Sequence, residues 1–378
     1  IGLASRRLAI RDLSPAGHMP MANEDRSVWI TYNGEVYNSD ELRAELESQN
    51  YRFRSRSDTE VVLRGYEAWG AGVTNRLRGM FAFGILDVRE GADRRLTPRS
   101  SARQLFLARD QMGVKPLYYA QCPDAFVFAS ELKALLASGL VSREISPSGL
   151  VGYLLMGSVP NPLTIYQGVS ALPPATSLRV SPARPDQAIE ETYWHLSADE
   201  GEPVGASEAV ERIGALLAES VRIRLVSDVP LGAFLSGGLD SSSVVAFMRQ
   251  ATDGPIRTCS MAFAEPGFSE ARYARAVADA GGTEHYERVV TAGELVEEFE
   301  NILESLDQPS VDGVNTYFVS QTARQAGLTV ALSGLGGDEL FGGYPNTFGQ
   351  VPQMPVSYTH LTLPTTRQRC RSRGGGDD

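Results

Sequence analysis

Cysteine and histidine are scarce in this chain, and their scarcity excludes several kinds of site. The 378 residues contain three cysteines and four histidines. Cys122, Cys259 and Cys370 have neither the spacing of a metal site nor the density of a disulfide framework. We therefore expect no zinc centre, and we interpret the three thiols as core or incidental residues.

Long apolar runs and an excess of basic charge are also missing. No apolar run has the length of a membrane span, and no secretory leader is recognisable. The net charge of −11, with no basic stripe, argues against nucleic acid as the main partner. We expect a cytoplasmic protein that binds neither membranes nor nucleic acids. Because the first residue is Ile1 and not Met, we also expect the chain to begin inside a longer protein.

The pattern of apolar residues changes about halfway along the chain. The first half has short alternating runs broken by Gly, Asp and Asn, which predicts a layered antiparallel α+β domain. Pro, Gly and acidic residues then dominate SPARPDQ and SADEGEPVGAS, which predicts a linker. Beyond it, helix and strand patterns alternate, which predicts a doubly wound parallel sheet with ligands at the carboxyl ends of its strands.

These patterns predict the following elements and boundaries. Strands are predicted at 26–38, 80–88, 105–110, 116–121, 229–235, 256–263, 284–290 and 328–334. Helices are predicted at 40–49, 57–69, 207–225, 241–250, 270–282, 291–306 and 317–327, and an Arg-rich surface loop at 90–104. The helix at 207–225 would place an apolar face of Val210, Ile213, Leu217, Val221 and Leu225 against a core. We divide the chain into domains at 1–190 and 207–355, a linker at 191–206, and a non-native or disordered tail at 356–378 with no role.

The segment from Ser236 to Ser242 carries the clearest chemical signal. It reads Ser-Gly-Gly-Leu-Asp-Ser-Ser between an apolar strand and an apolar helix. Such a turn presents unpaired backbone N–H groups and a positive helix end, which suit phosphate oxygens. Asp240 would repel phosphate but could hold a Mg²⁺ ion that bridges phosphates. The chain has no GxxxxGK[ST] motif, so this is not the lysine-bearing P-loop. The alternative that the segment is only a tight strand-to-helix turn, with no ligand, is not excluded by this motif alone.

A second loop of the same kind follows a later strand. Residues 330–344 again contain a Ser-Gly turn, Ser333-Gly334, followed by Asp338 and Glu339. Two such strand ends in one doubly wound domain could face a single nucleotide and its magnesium. The alternative is that Asp338 and Glu339 only favour the start of a helix through its dipole.

The motifs together resemble a known family. LSGGLDSS resembles the PP-loop of ATP pyrophosphatases, and with SGLGGDELFGGY it resembles the synthetase domain of glutamine-dependent asparagine synthases. RRLAIRD, NGEVYN, SDTEVVL, LRGMFAFGILD, RDQMGVKPLYY and FASELKAL resemble, in that order, the family's glutaminase domain. The resemblance runs from Ile1 to about Met354. It implies an αββα Ntn-type glutamine amidotransferase domain, followed by a doubly wound PP-loop domain that binds adenine nucleotides.

The resemblance also implies roles for individual residues. In the glutaminase domain, Arg7 would pair with the glutamine α-carboxylate, and Glu35 and Asp58 would hold the α-ammonium group. Asn33 and Gly34 would form the oxyanion hole. In the synthetase domain, ATP would be bound by Phe234, Ser236, Gly237, Gly238, Asp240, Ser241, Met261, Ser333 and Gly334. Asp240 and Asp338 would hold Mg²⁺.

The chain departs from the family pattern in three respects. The family's nucleophile is an N-terminal cysteine, which would precede Ile1, so we expect this chain not to hydrolyse glutamine by itself. The distal synthetase region, with a lysine that the family uses near the phosphates, is also missing. Leu335 stands where many asparagine synthases carry an acidic residue after Ser-Gly.

The resemblance implies ATP-dependent synthesis of asparagine from aspartate, with ammonia from glutamine, through a β-aspartyl-adenylate. ATP and Mg²⁺ are the expected cofactors, aspartate, glutamine and ATP the expected small-molecule partners, and a homodimer the candidate assembly. Leu335 keeps a second hypothesis open, namely a related amidotransferase or cyclase that activates another carboxylate. A third is a non-catalytic protein that kept the fold, although the retained Asp240 and Asp338 argue against it.

Overall fold

The structure, a computed structural model, describes residues 1–89, 103–182, 184–197, 204–263 and 270–343. Nearly all of the predicted surface loop at 90–104 and the whole predicted tail at 356–378 lie outside these residues. Contacts between Cα atoms group the chain into two units, Ile1–Ser333 and Gly334–Asp378. Each unit is described by itself below.

The first half of the larger unit contains two antiparallel sheets and several helices. Its strands are β1 (Met21–Ala22), β2 (Val28–Val36), β3 (Gly79–Asp87), β4 (Gln104–Arg109), β5 (Tyr118–Gln121), β6 (Phe126–Ala129), β7 (Ser170–Ala171), β8 (Thr176–Ser181) and β9 (Arg184–Thr192). Its helices are α1 (Ser39–Ser48), α2 (Asp58–Trp69), α3 (Leu132–Ala137) and α4 (Pro147–Met156), with 3₁₀ turns at Pro15–Gly17 and Gly70–Asn75. The larger sheet has the order β1-β2-β3-β4-β8-β9 and the smaller one β6-β5-β7.

The two sheets and their helices form four layers. Alternation along β2 points Ile30 and Tyr32 toward α1 and α2, where they join a core with Leu46 and Leu63. The opposite face of the larger sheet packs against the smaller sheet in a separate apolar cluster. Leu132 of α3 covers the outer face of the smaller sheet. The predicted αββα architecture is therefore confirmed.

The predicted linker is wrong over SPARPDQ. Ser181 ends β8 and Arg184 begins β9, and the two strands pair antiparallel, with Thr176 opposite Thr192. Proline at position 185 is tolerated because β9 is the outermost strand in the order of this sheet. Most of SADEGEPVGAS lies outside the described residues. The domain boundaries at 190 and 207 stay predictions.

The second half of the larger unit is a parallel α/β layer structure. Its strands are β10 (Leu231–Phe234), β11 (Arg257–Phe263), β12 (Glu284–Val290) and β13 (Val330–Leu332), in the order β12-β11-β10-β13. Its helices are α5 (Ala206–Ile223), α6 (Leu239–Ala251), α7 (Ala271–Gly281), α8 (Ala292–Glu297), α9 (Phe299–Ser305) and α10 (Gly313–Gln325). Met248 of α6 and Ala274 of α7 lie in one apolar cluster, and Ala323 of α10 lies in another with Cys259 of β11. The predicted doubly wound parallel sheet is confirmed.

Two helix predictions in this half need correction. The single helix predicted at 291–306 begins with the expected capping box but breaks at Glu298, which separates α8 from α9. The Glu298 carboxylate accepts hydrogen bonds from the Asn301 amide and the Tyr317 hydroxyl, which anchor the break. The apolar face predicted for α5 is fully buried only at Val221, whereas Val210 is 71% exposed.

The two described cysteines are core residues, as the sequence analysis expects. Cys122 and Cys259 are free thiols in two different apolar clusters, and Cys370 lies outside the described residues. Burial raises the pKa of the Cys259 thiol to about 11, as expected for an inert core residue. Within the described ranges, no helix is long and apolar enough to cross a membrane.

Candidate active site

The predicted oxyanion-hole residues lie inside β2. Asn33 and Gly34 pair with Ala82 and Phe81 of β3, so this Asn-Gly pair is part of a strand and not a hairpin turn. A Cβ atom on Gly34 would lie 2.3 Å from the Met80 carbonyl oxygen, so the close approach of β3 requires glycine. The Asn33 side-chain amide donates to Ser130 Oγ at 3.2 Å, which fixes its direction.

Asp58 is tied to β2 on both sides of Glu35. Ser57 caps α2 by accepting a hydrogen bond from the Glu60 backbone N–H. Asp58 follows it and is buried, and its Oδ2 accepts from the Tyr32 hydroxyl at 2.7 Å and the Val36 N–H at 3.0 Å. The Asp58 carboxylate thus lies against the part of β2 that carries Glu35, and the two carboxylates interact electrostatically.

Glu35 is a buried acid in a mixed electrostatic environment. Burial and then the neighbouring Asp58 carboxylate raise the pKa of Glu35 to about 7, while Arg11, Lys115 and Arg224 oppose the rise. Burial beside a second carboxylate disfavours the ionised form of Glu35, and the three cations offset this only in part. A bound ammonium group would further favour the ionised form.

Arg7 is held by its own loop and is not a solvated surface charge. Its Nη1 donates to the Asp12 carbonyl oxygen at 2.9 Å and its Nη2 to the Arg11 carbonyl oxygen at 2.5 Å. Its guanidinium group also packs on Gly17, where a Cβ atom would lie 2.5 Å from Nη1. The Asp12 carboxylate accepts from the Arg56 N–H, so this loop contacts the segment that leads into Asp58.

The sequence analysis did not single out two cationic residues near Glu35, namely Lys115 and Arg224. Burial lowers the pKa of Lys115, and Glu35 partly opposes that effect, which indicates that the ammonium group and the carboxylate interact. Arg224, which follows α5, lies 4.5 Å from the centre of the Tyr37 ring. Lys115 could have been identified from the sequence, because it belongs to the motif RDQMGVKPLYY. Arg224 could not, since no local sequence pattern links it to Tyr37.

A buried carboxylate builds the turn that carries Lys115. Asp110 is 1% exposed and accepts hydrogen bonds from the backbone N–H groups of Phe81, Val114 and Lys115 at 2.9–3.1 Å. Arg109 donates to the Lys115 carbonyl oxygen at 2.8 Å. Hydrogen bonds therefore hold both the N–H groups and a carbonyl group of the turn.

The Ser236–Ser242 segment has the geometry of an anion cradle. Gly237 has φ of +86°, and a Cβ atom there would lie 2.5 Å from the Ala274 N atom of α7, so the turn requires glycine. The hydroxyls of Ser236 and Ser241 lie 3.0 Å apart, and Gly238 N–H donates to Ser236 Oγ at 3.3 Å. Gly238 gives α6 no side-chain cap, so the N–H groups of its first turn can bind an anion. Phosphate oxygens fit these residues.

The other predicted ATP ligands lie at the carboxyl ends of neighbouring strands. Phe234 ends β10, Met261 lies on β11 beyond the residue paired with Phe234, and Ser333 directly follows β13 on the other side of β10. Carboxyl ends of adjacent parallel strands share one edge of a sheet. The predicted residues of the larger unit therefore lie on the side where a doubly wound sheet binds its ligands.

Gly334 and Asp338 belong to the smaller unit. Asp338 lies in the first turn of α11 (Gly337–Phe341), and its carbonyl oxygen accepts from Gly343 N–H at 3.0 Å. A Cβ atom on Gly343 would lie 1.7 Å from Asp338 Oδ1, so a larger residue there would displace the Asp338 carboxylate. No group of three or more His, Cys, Asp or Glu residues in the described part of the chain could hold a metal ion. The pairing of Asp338 with Asp240 around Mg²⁺ stays a prediction.

Family models match both halves of the chain. A glutamine amidotransferase domain model matches residues 1–194 and an asparagine synthase model matches residues 212–372. The chain is 36% identical over 364 residues to a putative asparagine synthetase [glutamine-hydrolyzing] 2 of Methanocaldococcus jannaschii, covering 91% of this chain and 67% of the relative. The chain belongs to the glutamine-hydrolysing asparagine synthetase family.

Other relatives of the family agree with this assignment. Asparagine synthetase [glutamine-hydrolyzing] 1 of Bacillus subtilis is 37% identical over 349 residues, which cover 91% of this chain and 52% of the relative. The chain thus spans about half to two thirds of the length of these relatives. The family uses ATP. Among solved structures, a glutamine phosphoribosylpyrophosphate amidotransferase of B. subtilis is similar over 83% of this chain and 73% of its own, at 13% identity and a TM-score of 0.32, which adds nothing to the assignment.

Proposed function

We propose that the chain takes part in ATP-dependent synthesis of asparagine from aspartate, with nitrogen supplied by glutamine. One observation carries this proposal. In a member of the family, two buried carboxylates that interact with each other, Glu35 and Asp58, occur in the same unit as an anion cradle at Ser236–Ser242.

The glutamine half would work by charge complementarity. Glu35 and Asp58 would bind the α-ammonium group, Arg7 the α-carboxylate, and the amide of Asn33 with the backbone of Gly34 an oxyanion. The fixed direction of the Asn33 amide and the buried position of Glu35 support these roles. Tight recognition of both charged groups would hold the side-chain amide of glutamine in a single orientation.

The synthetase half would form and then break an acyl phosphate bond. An oxygen of the aspartate β-carboxylate would attack the α-phosphorus of ATP, and pyrophosphate would leave. Ammonia would then attack the acyl carbon of the β-aspartyl-adenylate and displace AMP, giving asparagine. Ser236, Gly238, Ser241 and the free N–H groups of α6 would hold the departing pyrophosphate. Mg²⁺ held by Asp240 and Asp338 would neutralise part of the phosphate charge.

The test is pyrophosphate release by the complete gene product with ATP, Mg²⁺, aspartate and either glutamine or ammonium. We expect aspartate-dependent release with asparagine formed, and a loss of about 100-fold in Asp240→Asn. Asp253→Asn is the matched control, because Asp253 is an exposed carboxylate just beyond the other end of α6. Normal activity in a folded Asp240→Asn protein would refute the role of Asp240. No release with any carboxylate would refute the activity itself.

A second candidate differs only in the carboxylate that is activated. Leu335 is 86% exposed and stands in SGLGGDE where many asparagine synthases carry an acid. That acid is credited with a role in forming the aspartyl-adenylate, so its replacement favours a different acceptor. This candidate would be established if pyrophosphate release did not depend on aspartate but required another carboxylate.

A further inference from the structure

The turn that holds Arg7 has an unusual backbone at Asp12. Asp12 has φ of +55°, in the left-handed region that residues other than glycine rarely adopt. Such a conformation persists only where surrounding contacts hold it. The contacts of Asp12 therefore show what keeps Arg7 in place.

Asp12 is bonded in several directions within the first half. Its carbonyl oxygen accepts from Arg7 Nη1 at 2.9 Å. Its carboxylate accepts from the N–H and hydroxyl of Ser14 at 3.0 and 2.6 Å, and from the Arg56 N–H at 2.7 Å. Arg56 lies two residues before Asp58. Asp12 thus connects the predicted ligand of the glutamine carboxylate with the segment that carries a predicted ligand of its ammonium group.

Two further contacts of this turn come from the second half of the chain. Asp228 Oδ2 accepts from the Asp12 N–H at 2.8 Å, and the Asp228 N–H donates to the Ile10 carbonyl oxygen at 3.0 Å. These two bonds lie on either side of Arg11 and hold the turn as a clamp. The side-chain bond is charge-assisted and is the one that a substitution can remove.

Asp228 is placed at the start of the nucleotide strand. Pro230 follows it closely, and its carbonyl oxygen accepts from the N–H groups of Thr329 and Val330, where β13 begins. β10 starts at Leu231 and ends at the turn that forms the anion cradle. A single short segment therefore contacts the Arg7 turn at one end and leads into the nucleotide strand at the other.

We propose that Asp228 is a positioning residue for the glutamine subsite, in that its carboxylate keeps Asp12 in the left-handed conformation that directs Arg7. The inference rests on the proposed binding of glutamine by this half. Asp228 would act through Asp12 and Arg7 and not by binding glutamine itself. The synthetase half of the chain would in this way help to set the geometry of the glutamine subsite.

The test measures binding of L-glutamine to the chain by isothermal titration calorimetry. We expect Asp228→Ala to weaken binding about tenfold, as for the loss of one charge-assisted hydrogen bond. Asp228→Asn should stay within about twofold of the wild type, since its side-chain oxygen can still accept from Asp12 N–H. Asp253→Ala, which removes an exposed carboxylate elsewhere in the same half, should change nothing. Melting temperatures within 2 °C or so of each other would exclude a general loss of stability.

Amide hydrogen exchange at Asp12 gives a second measurement that does not depend on glutamine. Asp228→Ala should speed the exchange of this N–H, and Asp228→Asn should not. Equal glutamine affinity in wild type and Asp228→Ala would overturn the inference and leave the proposed function intact. A wild-type chain that binds no glutamine would overturn that part of the proposed function instead. In that case, faster exchange in Asp228→Ala would still support the clamp and unchanged exchange would overturn it.

Discussion

Glu35 makes the sharpest prediction at the scale of single residues. Because burial and Asp58 raise its pKa to about 7, the carboxylate that should bind an ammonium group is protonated in mildly acidic solution. We expect L-glutamine to bind about tenfold more weakly at pH 6 than at pH 8, since only the ionised form pairs with the ligand. Calorimetric titrations of the chain across this range would measure the change.

Glu35 should also make the stability of the folded protein depend on pH, with the opposite sign to glutamine binding: stability falls as the pH rises. The pKa is raised from its usual 4.5, so the contribution to stability is complete below about pH 4.5 and is lost as the pH rises through about 7. Glu35→Gln is the control, because it should remove both pH dependences. A binding constant that is flat between pH 6 and pH 8 in the wild type would argue against Glu35 as the ammonium ligand.

At the scale of elements, the turn after β4 depends on Asp110. Asp110→Ala would leave the buried backbone N–H groups of Phe81, Val114 and Lys115 without their acceptor. We expect a loss of about 3 kcal/mol in the free energy of unfolding, measured by urea denaturation. Asp124→Ala, at an exposed turn between β5 and β6, is the control and should cost almost nothing. A loss below about 1 kcal/mol in Asp110→Ala would contradict the stabilising role given to this carboxylate.

The elements also show which parts of the site a sequence can reveal. The Ser236–Ser242 cradle was predictable, because a strand, its glycine turn and the following helix are consecutive and the turn's chemistry is local. Asn33 and Gly34 needed the family resemblance, since an Asn-Gly pair alone indicates a hairpin turn as readily as a strand. Arg224 and Asp228 could not be predicted as partners of the glutamine pocket. Their contacts depend on packing between distant halves, which leaves no periodic pattern.

At the scale of the whole molecule, polar contacts join the antiparallel and parallel halves of the larger unit. The Asp307 carboxylate accepts from the N–H groups of Leu132 and Lys133 at the start of α3, at 2.8 and 3.1 Å. Gln308 Oε1 accepts from the Ile165 N–H at 3.0 Å, and Arg78 pairs with Glu219 of α5 at 2.5 Å. Together with the Asp228 clamp, these contacts tie the two halves at several separate places.

We therefore expect the unit Ile1–Ser333 to unfold in one cooperative transition. Differential scanning calorimetry should give a calorimetric enthalpy equal to the van't Hoff enthalpy for this unit. Asp307→Ala removes the cap on α3 and should lower the transition temperature, whereas Asp124→Ala should not. Two resolved transitions in the wild type, one for each half, would contradict the prediction.

The outer strand β9 bears on how the protein behaves at high concentration. An exposed strand at the end of a sheet can pair with a strand of another molecule and so start aggregation. β9 is exposed along almost its whole length and carries Arg184, Pro185, Asp186, Glu190 and Glu191. Proline removes a backbone donor and the charges disfavour a second strand alongside. The proline and charged residues that made this segment resemble a linker thus allow the edge of the sheet to face solvent without pairing with strands of other molecules.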